Sequence, residues 1–341
     1  MKTIGIVGAG AWGTALAVVA RRAGRDVLLW AREPDVVVDI EARRENARFL
    51  PAIALEPAIA VSGDLARAAD ADAVLLVVPA QFLRETCTAL APVWRAGVPA
   101  VICAKGIEHG TCALMSEIVA ETLPRAPIAV LSGPSFAAEV ARARPTAVTL
   151  AAADDGVAAD VAAALGAPTF RIYRSDDVIG AEIGGAVKNV LAIACGIVEG
   201  KGLGDNTRAA VITRGLAEVT RLGLAKGARL ETFMGLSGLG DLTLTCYAMQ
   251  SRNFSLGVAL GRGEALADIL AARSSVAEGV FTASSVSELA RRTGVEMPIA
   301  AAVDAVVNRG EPVDDMIRGL LARPFGEETF GIPGESDASG T

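Results

Sequence analysis

Residues 3–13 read Thr3-Ile4-Gly5-Ile6-Val7-Gly8-Ala9-Gly10-Ala11-Trp12-Gly13. A short apolar run here passes straight into G-x-G-x-x-G and then into a helical pattern, Ala11 to Ala23. The glycine spacing alone is a weak signal. Its placement between a strand candidate and a helix candidate is what marks a dinucleotide loop. In such a loop Gly8 permits the tight turn, Gly10 lets a pyrophosphate approach the backbone, and Gly13 lets helix and strand pack closely. The free N–H groups of the helix N-terminus then face the anion.

Outward from this stretch, strand candidates recur at 3–7, 26–30, 72–78, 98–103, 127–131, 145–150 and 169–173, with helical patterns between most of them. That alternation predicts parallel strands with crossover helices, an α/β doubly wound sheet of Rossmann type. The runs lack strict alternation, as expected of strands covered on both faces. After Arg174-Ser175-Asp176 the pattern changes to long Ala/Leu/Val segments of helical period. The expected organisation is an α/β domain over 1–175, an all-helical domain over 176–325 and a flexible tail over 326–341. Ser175 or Asp176 is the expected N-cap of the first long helix.

Composition narrows the function classes. The 341 residues are 52% apolar and 21% charged, enough to bury a sizeable core in two domains. A net charge of −7 and short basic clusters, Arg21-Arg22-Ala23-Gly24-Arg25 and Arg43-Arg44, argue against a nucleic-acid partner. Those clusters read as charge facing helix C-termini. One histidine, His109, and five scattered cysteines without a C-x-x-C pair leave no metal site and no disulfide framework. No apolar run reaches the length of a membrane span, and the N-terminus lacks signal-peptide architecture, so a cytoplasmic protein is expected.

Near the end of the second strand, Arg32 precedes Glu33. An acid there would accept from a ribose 2′-OH and repel a 2′-phosphate; an arginine would pair with that phosphate. The reading favours Arg32 and NADP(H), with NAD(H) also possible. Cys103-Ala104-Lys105-Gly106 and Ser132-Gly133-Pro134-Ser135-Phe136 each follow a strand, where open α/β sheets line their ligand crevice. Ser132–Phe136 is expected to open a short helix. Lys188 and Asn189 lie among small apolar residues with no ion-pair partner at i±3 or i±4. Desolvation there would tune the lysine towards proton transfer, whereas the Asp177/Lys188/Glu199 spacing alternatively suits a solvated stripe. Asp241, after a glycine pair, could orient a hydroxyl or the lysine, and Arg252 with Asn253 suits a phosphate.

These motifs together resemble bacterial NAD(P)-dependent glycerol-3-phosphate dehydrogenases. The resemblance runs from Ile4 to about Gly319 through IGIVGAGAWGTALA, NARFLP, AKGIE, LSGPSFAAEV, EIGGAVKNVLAIACGI, ITRGLAE, GLSGLGDLTLTC, QSRNFSLG, VAEG and GVEMPI. It implies that Lys188 moves the proton, with Asp241 assisting. Lys105, Gly133, Ser135, Lys188, Asp241, Ser251, Arg252 and Asn253 would surround the glycerol phosphate. Gly8, Gly10, Ala11, Trp12, Gly13, Arg32, Lys105, Ala137, Arg252, Val276 and Glu278 would bind the dinucleotide. Asn189 and Thr245 would support them. Ala11 departs from a common serine, with a small effect expected because the backbone N–H remains. The implied reaction is reversible reduction of dihydroxyacetone phosphate to sn-glycerol 3-phosphate for glycerophospholipid synthesis, by a homodimer. Two other readings stand beside it: a two-domain hydroxyacid dehydrogenase gripping a carboxylate, and a non-catalytic dinucleotide sensor. The sensor would not need Lys188, Asp241 and Arg252 together.

Overall fold

A computed structural model describes residues 1–273 and 277–324 of the chain. Two compact units emerge. One comprises 1–105 and 113–181; the other comprises 106–112 and the described residues from 182 to 324. The excursion 106–112 was not separated in the sequence reading, and the division near the middle falls inside a helix rather than before it. The expected tail, 326–341, lies outside the described residues.

The first unit is built on ten strands: β1 (Thr3–Val7), β2 (Asp26–Trp30), β3 (Glu45–Asn46), β4 (Leu50–Ala54), β5 (Ile59–Ser62), β6 (Ala73–Leu76), β7 (Ala100–Ile102), β8 (Ile128–Ser132), β9 (Thr146–Ala151) and β10 (Phe170–Ser175). Eight form one sheet in the order β10-β9-β8-β7-β6-β1-β2-β5, and β3 and β4 form a separate hairpin. The apolar strands are covered on both faces. Ile4, Ile6, Leu75, Val101 and Leu131 enter one buried cluster. Val7, Val74, Leu76, Ile102 and Val130, facing the other way, enter a second. Side chains alternate across a strand, so a continuous apolar run is what two covered faces require. The strand order reverses between β1 and β6, which makes the carboxyl ends of these two strands the expected ligand position.

Three features depart from the sequence reading. β5 and the β3–β4 hairpin were missed, being short and only partly buried. β8 and β9 pair antiparallel, not parallel. Their connection holds only the five-residue helix Ala137–Ala141. Five helical residues advance about 7.5 Å, well short of a five-residue strand at about 16 Å, so the chain turns back instead of crossing over. The helix Val178–Gly200 passes the length and hydropathy test for a membrane span, contrary to the expectation that no run would. The window that passes is 83% buried inside the protein, so this is a core helix.

The short basic clusters do serve helix C-termini, with Arg21 and Arg22 in the last turn of Ala11–Arg22 and Arg43 in the last turn of Pro34–Arg43, and Arg22 and Arg25 also reach neighbouring helices. Arg22 donates to the carbonyls of Val140 and Ala141, ending Ala137–Ala141. Arg25 donates to those of Ala163 and Ala164 near the end of helix Asp155–Leu165.

Among the described residues the chain after Ser175 contains helices and no strand. Asp177 performs the capping expected of Ser175 or Asp176: its Oδ1 accepts from the Gly180 N–H at 2.9 Å. In the second unit, Val178–Gly200 meets helix Arg252–Gly261 backbone to backbone. A Cβ at Gly257 would lie 2.1 Å from the Ile193 carbonyl oxygen, and one at Gly196 2.1 Å from that of Phe254. A turn further on, Gly200 and Gly261 meet in the same way. Two glycine pairs at i, i+4 thus let the two backbones touch at this crossing.

ITRGLAE and GVEMPI meet here too. Glu218, 2% exposed, accepts from the Ile299 and Ala300 N–H groups at 2.8 and 3.1 Å, at the start of helix Pro298–Arg309. Burial pushes its carboxyl up from 4.5 to about 7, against the pull of those two N–H groups. A carboxyl raised in the folded state costs stability once it must ionise. The cost is absent below the unfolded value and grows as pH rises from about 4.5 to 7. Glu218→Gln cannot ionise and should remove that slope. In urea unfolding at pH 5 and pH 8, the wild type should lose on the order of 2 kcal/mol relative to the variant. Parallel pH profiles would mean that the helix terminus keeps Glu218 ionised throughout.

Candidate active site

The glycine loop follows β1 as its sequence requires. Gly8 has φ +119°, and its N–H donates to the Trp30 carbonyl at the end of β2. A Cβ on Gly8 would sit 2.9 Å from the Val77 backbone just beyond β6, and one on Gly13 would sit 1.8 Å from the Gly8 carbonyl oxygen. At Gly10 the same construction meets nothing within 4 Å. Two glycines are therefore enforced by packing, and the third leaves open backbone on the side where a ligand would come. Gly10 is also the N-cap of helix Ala11–Arg22, and no side chain caps it. The first-turn N–H groups keep their capacity for an anion. The Trp12 indole N–H is shielded from solvent and meets no acceptor in the protein. This residue set fits a dinucleotide pyrophosphate.

Arg32 lies two residues beyond β2, its side chain 65% exposed. It pairs with Glu33 at 3.2 Å and stacks over the Phe82 ring at 5.4 Å from the centroid. The two residues read as rivals in the sequence are thus partners here. The acid steadies the arginine, and the guanidinium stays open to solvent.

Lys105, Gly133 and Ser135 come together after β7 and β8. The Gly133 carbonyl accepts from Lys105 Nζ at 3.1 Å and from Ser135 Oγ at 2.9 Å. Gly133 has φ +136°, and a Cβ on it would press to 3.0 Å on Val148 Cα. The expected helix at Ser132–Phe136 begins later, at Ala137, with Phe136 as an N-cap that offers no side-chain bond. Pro134 and the positive φ at Gly133 hold the chain out of a helix until then.

In the second unit the lysine finds the partner that its own helix lacks. Lys188 is 8% exposed, with Nζ 2.6 Å from Asp241 Oδ1 and 3.0 Å from Thr245 Oγ1. Thr245 Oγ1 in turn donates to the Asp241 carbonyl at 2.6 Å. The solvated-stripe alternative fails on this burial. Asp241, 1% exposed, reaches the lysine because of glycines. Leu236–Gly240 winds as a wide turn in which the Gly240 N–H bonds the Gly235 carbonyl five residues back. A Cβ at Gly184 would be 2.4 Å from the Ser237 carbonyl oxygen, so the turn lies directly on the lysine's helix. Burial favours the neutral amine and the adjacent carboxylate favours the ammonium. A buried, hydrogen-bonded pair of this kind is able to carry a proton.

Asn189, the next residue, accepts from Asn253 Nδ2 at 2.9 Å, and Asn253 Oδ1 accepts from the Gly279 N–H at 3.0 Å. This ties together the QSRN and VAEG motifs. Ser251 caps helix Arg252–Gly261 through the Phe254 N–H, which leaves Arg252 exposed at its first position. Arg273 was missed in the sequence; it donates to the Arg252 carbonyl at 2.7 Å and to Ser255 at 3.1 Å. Ala137 and Glu278 each open a helix, and Val276 lies outside the described residues. The proposed residues thus gather as two sets in the first unit, the glycine loop with Arg32 and the Lys105 cluster. Two more gather in the second, around Lys188 and around Asn253.

Comparison with known proteins adds the following. Residues 3–158 match the family model for the NAD-dependent glycerol-3-phosphate dehydrogenase N-terminus, and residues 177–318 match its C-terminus. A glycerol-3-phosphate dehydrogenase [NAD(P)+] of Parvibaculum lavamentivorans is 60% identical over 328 residues, covering 96% of this chain and 98% of the relative. One from Rhodospirillum rubrum is 60% identical over 94% of this chain and 93% of the relative. The crystal structure of glycerol-3-phosphate dehydrogenase from Coxiella burnetii superposes with a TM-score of 0.91 at 40% identity, covering 94% of this chain and 99% of that one.

Proposed function

The chain belongs to the family of NAD-dependent glycerol-3-phosphate dehydrogenases, and from that membership we propose how its residues interconvert dihydroxyacetone phosphate and sn-glycerol 3-phosphate. The observation that carries the reading is the buried Lys188 ammonium, 2.6 Å from Asp241 and 3.0 Å from Thr245. When bound, the reduced nicotinamide supplies the hydride, which adds to C2 of the ketone. Lys188 gives its proton to the C2 oxygen as negative charge develops there, so the carbonyl becomes the alcohol. In oxidation the neutral amine takes the proton back. Asp241 holds the lysine in place and stabilises its charged form, and Thr245 fixes the geometry of both. Arg252 and Asn253, at the N-terminus of their helix, bind the substrate phosphate; the guanidinium fork and the helix N–H groups suit a dianion. Lys105, held by the Gly133 carbonyl, is a further substrate-binding cation in this reading.

The proposed dinucleotide preference is for NADPH, with the 2′-phosphate on Arg32. The test follows reduced-nicotinamide absorbance with dihydroxyacetone phosphate, in parallel with NADPH and NADH. Both should be consumed, NADPH more efficiently. Arg32→Ala should lower the NADPH-to-NADH ratio of kcat/KM by about tenfold, one charge-assisted contact's worth. An unchanged ratio would move 2′-phosphate recognition elsewhere. Absence of turnover with either cofactor, in protein that binds both, would overturn the role given to Lys188.

A further inference from the structure

The carbonyl of Ala9, inside the glycine loop, is fixed by a residue far away in sequence. Asn46 is 1% exposed, in β3. Its Nδ2 donates to the Ala9 carbonyl at 2.8 Å and to Thr14 Oγ1 at 2.8 Å. Its Oδ1 accepts from the Phe49 N–H at 3.2 Å. Thr14, 0% exposed, lies 3.4 Å from the same Ala9 carbonyl and donates to it through its hydroxyl. The asparagine amide thus spends both donors and its acceptor on one arrangement.

The consequence follows from peptide geometry. The Ala9–Gly10 bond is trans, so its C=O and N–H point to opposite sides of the chain. Drawing the Ala9 oxygen inward onto Asn46 and Thr14 turns the Gly10 N–H outward. The backbone is uncovered at this residue, since a Cβ at Gly10 meets nothing within 4 Å, and Gly10 caps the helix Ala11–Arg22 whose first N–H groups are free for an anion. We propose that Asn46, backed by Thr14, is a positioning residue for the dinucleotide: it locks the Ala9–Gly10 peptide so that the loop presents its N–H donors to the pyrophosphate before the ligand arrives. The proposal rests on reading Gly8–Gly13 as the pyrophosphate loop. Preorganised donors cost no reordering on binding, so the effect belongs in dinucleotide affinity and not in the proton transfer at Lys188.

Calorimetric titration of the full chain with NADPH and with ADP-ribose, which carries the pyrophosphate but no nicotinamide, tests it. Asn46→Ala should raise both Kd values on the order of tenfold. At saturating NADPH, kcat and the KM for dihydroxyacetone phosphate should stay within about threefold of wild type, a split that general loosening of the fold would not give. Thr14→Val keeps the shape and removes one donor, and should raise both Kd values about threefold. Asn46→Ala binding both ligands within twofold of wild type would overturn the proposal. If Asn46→Ala does not fold, Thr14→Val decides: weakened binding of both ligands supports the proposal, and wild-type binding overturns it. Wild-type protein that binds neither NADPH nor ADP-ribose would instead sink the reading of the loop on which the proposal rests.

Discussion

Lys188→Ala should lower kcat at least about 100-fold while the Kd for NADPH stays near wild type, because it removes the group that moves the proton and leaves the glycine loop intact. The variant has a second, separable effect. Asp241 is 1% exposed and loses the ammonium 2.6 Å from its Oδ1. Breaking a buried pair on one side costs several kcal/mol, more than removing both charges. A loss of turnover caused only by instability would therefore be repaired by Lys188→Met combined with Asp241→Asn, which keeps volume and removes both charges. The expected result is that the double variant regains much of the melting temperature and none of the turnover. Near-wild-type kcat in folded Lys188→Ala would make the lysine structural and remove the basis for the proposed mechanism.

What could be read from the sequence divides along the range of the interactions. The β1–loop–helix unit is local. Gly8 and Gly13 are required by contacts within the loop or with the adjacent strand ends, and Gly10 leaves open backbone between them, so their spacing carried the information. The two-faced strands were legible for the same reason, since Ile4 and Ile6 and their neighbours had nowhere polar to face. β5 and the β3–β4 hairpin were not, because a four-residue edge strand and a two-residue strand leave no pattern that a loop lacks. The antiparallel β8–β9 pair depended on the length of one helix, which the turn chemistry at Gly133 and Pro134 shortened. At the site, Lys188 stood out as a cation in apolar company, but its partner is 53 residues away. Only the glycine pair before Asp241 hinted at a turn able to reach it. Asn46 opens the NARFLP motif, but its role had no local signal: an asparagine 32 residues from Thr14 becomes meaningful once the fold aims it at the Ala9 carbonyl. The i, i+4 glycines at 196 and 200 and at 257 and 261 went unread in the sequence, because what gives them meaning is their pairing with each other in the fold.

That pairing gives the other large expected effect. Gly257→Ala should destabilise the protein by about 2 kcal/mol or more and weaken substrate binding together with stability. The new methyl would fall 2.1 Å from the Ile193 carbonyl oxygen and 2.9 Å from Gly196 Cα. Both obstacles are backbone of helix Val178–Gly200, which cannot swing aside as a side chain can, so the helices must part. Asn253 sits one turn before Gly257 and Asn189 one turn before Ile193, joined by their 2.9 Å hydrogen bond. Separation at the glycines therefore opens the Asn189–Asn253 link and shifts Arg252 relative to Lys188. The KM for dihydroxyacetone phosphate should rise at least about tenfold, and the Kd for ADP-ribose should rise less, because the glycine loop Gly8–Gly13 and Arg32 lie outside the crossing. Gly319→Ala supplies the contrast. It sits in helix Val313–Leu321 with nothing within 4 Å of the added methyl, and alanine is the better helix former, so its melting temperature should hold or rise slightly. Equal melting temperatures for the two variants would mean that the helices have slack at Gly257, and the glycine crossing would lose its place as the element that sets the distance between the proton carrier and the phosphate-binding turn.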